Sequence, residues 1–257
     1  LSIEEIQRKE LKTLEDRVLP VIQAVAKEQG YELVFNKYQS GLLHAFATTT
    51  SSGGGNALRL QRVNTDGTLT PPPLQYPTAW RLDTLTSLSS CLPAGTSDGA
   101  GGAYVVWYRS GLRMVRVDAS GARVAPWPDR GWRIPGALSP SSLFTPPGVA
   151  PDGVGGVLVV WADDSVRVQR VNADSMRYSG WPAAGLALAP LTLGVNQDGT
   201  FTLVPSGLTH VIALWCEGAG PPGRRIMAQR FSLEGVRDPA WPAEGRRVDS
   251  WAPDVDW

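Results

Sequence analysis

The stretch DGVGGVLVVWADDSVRVQRVNADSMRYSGWP, Asp152 to Pro182, decides the fold. It opens on Asp-Gly, a dipeptide that favours turns because glycine accepts the backbone angles other residues avoid. Val157 to Trp161 is apolar at successive positions, the pattern of a strand buried on both faces. Asp163-Asp164 interrupts the run and begins a hairpin turn. Val166 to Val171 then alternates apolar and polar residues, as a half-buried strand does. Trp181-Pro182 closes the stretch in a loop.

The stretch recurs. Trp107, Trp161 and Trp215 are evenly spaced, and Asp98-Gly99, Asp152-Gly153 and Ser206-Gly207 keep the same step. So do Arg62-Val63, Arg116-Val117 and Arg170-Val171, with Arg230-Phe231 following after a slightly longer one. Trp127-Pro128, Trp181-Pro182 and Trp241-Pro242 show one step of each length. The few extra residues fall in the loop around Gly218 to Gly223. Independent landmarks on one period mark an internal repeat. Each copy parses into four short strands, in the best copy near 143–151, 156–161, 166–171 and 186–188. Four strands in about 54 residues, repeated, is the pattern of a β-propeller blade.

The predicted architecture is therefore mainly β: a β-propeller-like array of about four four-stranded blades over residues 41–257. A divergent first copy combines 42–47 with 57–63, and three copies centre on Trp107, Trp161 and Trp215. Trp251-Ala252-Pro253-Asp254 reads as the opening strand of a further copy. A closed four-bladed ring and a piece of a larger propeller both fit this count. In the second case, exposed sheet edges would be open to pairing with other chains.

Composition divides the chain near residue 40. All four lysines lie within the first 37 residues, and all ten tryptophans lie at or beyond Trp80. Ser2 and Glu5 form a capping box. Leu11, Leu14, Val18, Val21 and Val25 step by three and four, a helical seam, with Pro20 as a kink or a restart and Gly30 as its end. Tyr31 to Phe35 reads as a short strand. Residues 1–40 are thus an N-terminal α-helix and strand, distinct from 41–257. The run Leu14 to Phe35, with its Gly30-Tyr31 pair, resembles the C-terminal part of the Skp/OmpH periplasmic chaperones. That resemblance implies a helix leading into a body strand, and binding of unfolded outer-membrane proteins. The first arm and opening body strand of that family have no counterpart here. Residues 41–257 resemble the tryptophan-rich propeller-like repeats of secreted bacterial proteins.

The formal net charge is zero, which gives no case for nucleic acid as a partner. No apolar run approaches the roughly 18 residues of a membrane span. The two cysteines, Cys91 and Cys216, sit at different phases of the repeat, so they read as two buried thiols. His44 and His210 lack partners at metal-ligand spacing, so no metal is expected. Asn64-Thr65-Asp66-Gly67 and Asn196-Gln197-Asp198-Gly199 read as turns, not calcium loops, because the downstream glutamate is missing.

Trp107, Trp161 and Trp215 end apolar strands and read as core between blades. Trp127, Trp181 and Trp241 precede proline in loops and are the candidate ligand contacts. The arginines at 62, 116, 170 and 230 suit hydrogen bonds to carbonyls or carboxylates between blades, or an anion site. No phosphate loop, nucleophile elbow or carboxylate cluster appears. The expected function is a non-enzymatic, extracytoplasmic interaction protein, secreted or periplasmic, binding a protein or a glycan without a cofactor. Two alternatives stand beside it: a Skp/OmpH-like chaperone, and a propeller-type glycoside hydrolase or lyase, whose carboxylates would converge on the central channel.

Overall fold

The computed structural model describes residues 42–49, 56–63, 69–70, 80–85, 92–137, 145–174, 177–191, 201–218 and 225–249. Its sixteen strands lie in one compact unit, 34–257, and form four antiparallel sheets taken in chain order. Residues 1–40, on which the helix and the Skp/OmpH resemblance rest, lie outside the described residues, as do the glycine-rich run 51–55 and residues 251–257. Among the described residues no helix is long and apolar enough to cross a membrane.

Sheet 1 holds β1 (Leu42–Thr49), β2 (Asn56–Val63), β3 (Leu69–Thr70) and β4 (Trp80–Leu85); β3 and β4 share the edge of β2 opposite β1. Sheet 2 runs β5 (Ala94–Ser97), β6 (Ala103–Tyr108), β7 (Leu112–Val117), β8 (Trp132–Arg133). Sheet 3 runs β9 (Gly148–Pro151), β10 (Val157–Ala162), β11 (Ser165–Val171), β12 (Leu186–Pro190). Sheet 4 runs β13 (Thr202–Ser206), β14 (His210–Glu217), β15 (Arg225–Ser232), β16 (Arg246–Arg247). The first strand β9 lies against both β5 and β13, so sheets 2, 3 and 4 meet along their leading strands as blades do.

Register explains the divergent first copy. Trp107 pairs with Arg113 across a tight hairpin, whereas Phe46 pairs with Arg59 across a much longer one. Trp215 pairs with Met227, so sheet 4 is lengthened at the same place as sheet 1. Phe46 therefore occupies the ladder position of the tryptophans.

The core lies between sheets. On β10, Val157, Val159 and Trp161 pack toward sheet 2, while Leu158, Val160 and Ala162 pack toward sheet 4. All six are buried, which is why that run shows no alternation. Trp107, Trp161 and Trp215 are at most 1% exposed. Each indole lies against a glycine of its own sheet. A Cβ on Gly185, at φ +80°, would stand 2.6 Å from Trp161 Cη2, and Gly131 and Gly245 repeat the arrangement with Trp107 and Trp215. Any side chain there meets both a strained backbone and a ring that is packed on its other side.

Candidate functional site

Antiparallel strands put the loops of each blade at two ends. The end with the Asp-Gly turns holds the blades together. Asp98 Oδ1 accepts from the Ala100 and Gly102 amides, both at 2.8 Å, while Oδ2 accepts from Arg116 Nε at 3.0 Å. Asp152 repeats this with Val154, Gly156 and Arg170, at 2.9, 2.8 and 2.9 Å. Sheet 4 has Ser206 at that position. Arg230 Nε donates to Ser206 Oγ at 3.2 Å and its Nη1 to Asp238 at 2.8 Å. Arg116, Arg170 and Arg230 are thus held by groups of their own sheets, with one reach beyond: Arg170 Nη1 donates to Leu233 O of sheet 4 at 2.9 Å. Arg116 and Arg170 are taken up by these aspartates, so they do not stand free as an anion-binding ring. The Tyr104 hydroxyl donates to Gly155 O across sheets 2 and 3 at 2.5 Å, and burial pushes it up to about 12.

The tryptophans before proline belong to the same end. Trp127 is 5% exposed and its Nε1 donates to Ala173 O of sheet 3 at 2.7 Å. Trp181 is 4% exposed and donates to Leu233 O of sheet 4 at 3.0 Å. Both rings therefore lie in interfaces between sheets rather than on loop surfaces. The Trp-Pro spacing was visible in the sequence, but the carbonyl that receives each N–H lies far along the chain, on the next sheet. Trp241 alone of the three is half-buried, with the Arg246 guanidinium 4.9 Å from its ring centroid.

The opposite end carries the hairpins between second and third strands, two of them lengthened, and it gathers carboxylates. Trp107 Nε1 donates to Asp83 Oδ2 at 3.0 Å, and Arg109 pairs with the same carboxylate. Trp161 Nε1 donates to Asp163 Oδ2 at 3.3 Å. Glu217, just past Trp215 on the same strand, faces Arg225 at 2.9 Å. Trp215 Nε1 is buried without a hydrogen-bond partner among the described residues. Each of three blades thus ends a central strand on an indole with a carboxylate close by in sequence or space. Sequence reading took Asp163 and Asp164 only as the start of a hairpin turn and missed Asp83, because Asp83 meets its indole only through the packing of sheet 1 on sheet 2.

Asp83 and Glu217 have side chains 3% and 4% exposed, whereas Asp163 is 15% and Asp164 78% exposed. Sheet 3 therefore offers the accessible carboxyls. Asp164 is held down to about 2 by hydrogen bonding with Asp163, then by Arg167 and Ser165. Arg167 bridges both, at 3.0 Å to Asp163 and 3.1 Å to Asp164. The Ser120 hydroxyl lowers Asp118, the Ala240 amide lowers Asp238, and Arg247 lowers Asp249. Each is displaced in the direction that keeps it ionised at neutral pH. Among the described residues no cluster of histidine, cysteine or carboxylate could hold a metal ion. Cys216 is half-buried and unbridged.

No protein-family model and no curated protein matches the chain. Among solved structures it is similar to the xylan β-1,4-xylosidase of Bacillus halodurans C-125, with 14% identity over 82% of this chain and 42% of that one and a TM-score of 0.43. The chain thus spans less than half the length of that xylosidase. It is similar to an α-L-arabinofuranosidase of Clostridium thermocellum ATCC 27405, at 12% identity over 88% and 75% of the two chains and a TM-score of 0.46. An endo-1,5-α-L-arabinanase of Thermotoga petrophila RKU-1 gives 13% identity over 86% and 61% and a TM-score of 0.44. These neighbours are enzymes by name, and they correct the expectation of a non-enzymatic interaction module.

Proposed function

We propose that the chain cleaves glycosidic bonds, as a hydrolase or lyase built on a propeller-like scaffold, with the hairpin end as its substrate face. The observation that carries this reading is the placing of carboxylates at one end of sheets 1, 3 and 4. Asp83, Asp163 with Asp164, and Glu217 all stand at that end, where two of the second-to-third-strand hairpins are lengthened. Glycoside cleavage needs a carboxylate kept ionised opposite a group that protonates the leaving oxygen. Asp164, accessible and ion-paired with Arg167, suits the first role. An extracytoplasmic location fits, because polymeric glycans are met outside the cell.

The test is release of reducing ends from a panel of polysaccharides by the whole chain, followed by chromatography of the products. Arabinan and xylan head the panel because the similar structures are named for them. Release that falls at least about a hundredfold in Asp164→Asn, with the fold retained, supports the reading. Release from no polymer, or release untouched by Asp163→Asn and Asp164→Asn, overturns it.

A further inference from the structure

The hairpin end is not uniform in charge. On sheet 3, Asp163 and Asp164 face Arg167, which leaves one negative charge in excess. One repeat step earlier, the hairpin of sheet 2 reads Arg109-Ser110-Gly111, so a guanidinium stands where sheet 3 has Asp163. Arg113 keeps the place of Arg167. Arg133 pairs with Arg113 across the ladder, where Ala187 pairs with Arg167. A Cβ on Gly111 would stand 2.8 Å from Arg133 Nε, so Arg133 lies back over the hairpin. Three guanidiniums thus gather on this corner.

The described groups around them do not balance that charge. Asp83 is the carboxylate at hand, and Arg109, Trp107 Nε1 and the Thr84 amide already share it. Arg113 donates to carbonyls: Nε to Arg109 O at 3.1 Å, and Nη1 to Arg130 O and Gly131 O at 3.2 Å. Carbonyls satisfy its N–H groups and leave its charge in place. Arg133 is exposed and, among the described residues, meets no carboxylate. The chain segments 86–91 and 138–144, beyond β4 and β8, contain no aspartate or glutamate. Two positive charges are therefore in excess. Like charges placed opposite one another weaken a ladder, yet sheet 1 repeats the arrangement with Arg59 opposite Arg81. On sheet 4 the arginine at this level, Arg247, has Asp249 at 2.7 Å. An unfavourable pair on two adjacent sheets, where the other two balance theirs, points to an anionic ligand.

We propose that Arg109, Arg113 and Arg133 bind the carboxylate of a uronic acid unit, so that the glycan taken by the hairpin end is acidic. The inference rests on the proposed cleavage only for the ligand being a glycan; its charge is read from sheet 2. A carboxylate matches the planar fork of donors that a guanidinium presents. Packed sheets lie about 10 Å apart. Tyr108, beside Arg109 in the chain, has its hydroxyl raised by burial and then by the Asp163 carboxylate, which places sheet 3's carboxyls next to this corner. A chain cleaved at Asp164 would lay its neighbouring units along the arginines of sheet 2.

The experiment measures binding by calorimetry, with the whole chain and three probes: oligogalacturonate, its methyl ester and a neutral arabinan oligomer. The acid should bind at least about tenfold more tightly than its ester, which keeps the sugars and loses the charge, and more tightly than the arabinan. Arg133→Ala should lose that preference, and Arg133→Lys part of it, because an ammonium keeps the charge without the fork. Equal affinity for acid and ester overturns the proposal, as does a preference unchanged in Arg133→Ala. Dextran sulfate bound as tightly as oligogalacturonate would make the corner a general polyanion surface and equally overturn it. Binding is read without turnover. Cleavage of a neutral polymer with no preference for the acid therefore sinks this inference alone, whereas tight binding of the acid with release from no polymer sinks the proposed cleavage alone.

Discussion

Sheets 3 and 4 come from one repeat and stand in different surroundings. In sheet 3 all six residues of β10 are buried, whereas in sheet 4 burial along β14 alternates. The sequences do not explain this, since Ile212-Ala213-Leu214-Trp215 is as apolar as Leu158-Val159-Val160-Trp161. Sheet 3 has a neighbour on both faces, and the described part of sheet 4 has one. Burial here is a property of position in the array, and the same residues carry different energetic weight in the two sheets.

The largest expected effects lie where sheet 3 is enclosed. Trp161→Ala should cost roughly 3–5 kcal/mol in denaturant melts, the cost of a large core cavity. A loss within experimental error would remove the indole from the core and break the comparison at its centre. Asp152→Ala should cost a similar amount, about 3–5 kcal/mol, because it strands a buried Arg170 whose side chain is 7% exposed. Sheet 4 supplies the converse: Ser206→Asp would recreate the pair beside a more exposed Arg230 and should gain under about 1 kcal/mol. A gain several times larger would mean that sheet 4 is as enclosed as sheet 3.

The pair Leu158→Ala and Ile212→Ala tests the outer faces directly. The first should cost about 2–5 kcal/mol, as a filled site between sheets does. The second should cost about 1 kcal/mol, since its side chain keeps water contact in the folded state. Equal losses would show that something covers Ile212. Smaller still is the indole clasp. Trp181→Phe should cost about 1 kcal/mol for the lost bond to Leu233 O, and Trp241→Phe, whose ring is half-buried, clearly less.

The smallest effect concerns pH. The folded-state pKa of Asp164 is lowered to about 2 from an ordinary value near 3.9. The stability it contributes is therefore present above about pH 4 and lost as pH falls through about 2. The carboxylate is well exposed, so the change in stability is slight and the titration itself is the better readout. Carboxyl chemical shifts should give a midpoint of about 2 that moves upward in Arg167→Ala. An unmoved midpoint would remove Arg167 from the causes.

The period, the strand order within each copy and the hairpin at Asp163-Asp164 were legible in the sequence. They depend on local chemistry: Asp-Gly turns, apolar runs, and alternation within a single short strand. The core role of Trp107, Trp161 and Trp215 was legible for the same reason, since a tryptophan ending a strand apolar on both faces has only the interior to occupy. The length of the hairpin in sheet 1 was not, because Phe46 replaces the tryptophan that marks the other copies and only the ladder with Arg59 locates it.

Tertiary structure alone decided the rest. Trp127 and Trp181 look in sequence like loop residues free to meet a ligand. Whether such a ring is exposed depends on a carbonyl nearly a full repeat away on another sheet, and no local pattern encodes that distance. Asp83 and Asp163 each acquire an indole donor, one across a sheet interface and one within a hairpin, although nothing in the chain around either marks it for that role. The sequence by itself determined the repeating unit, because hydrogen-bonded hairpins and apolar alternation are local. Stacking determined which copies of each residue are enclosed and which carboxylates remain accessible. Contacts between sheets join residues distant along the chain, and their number depends on where each copy stands in the series.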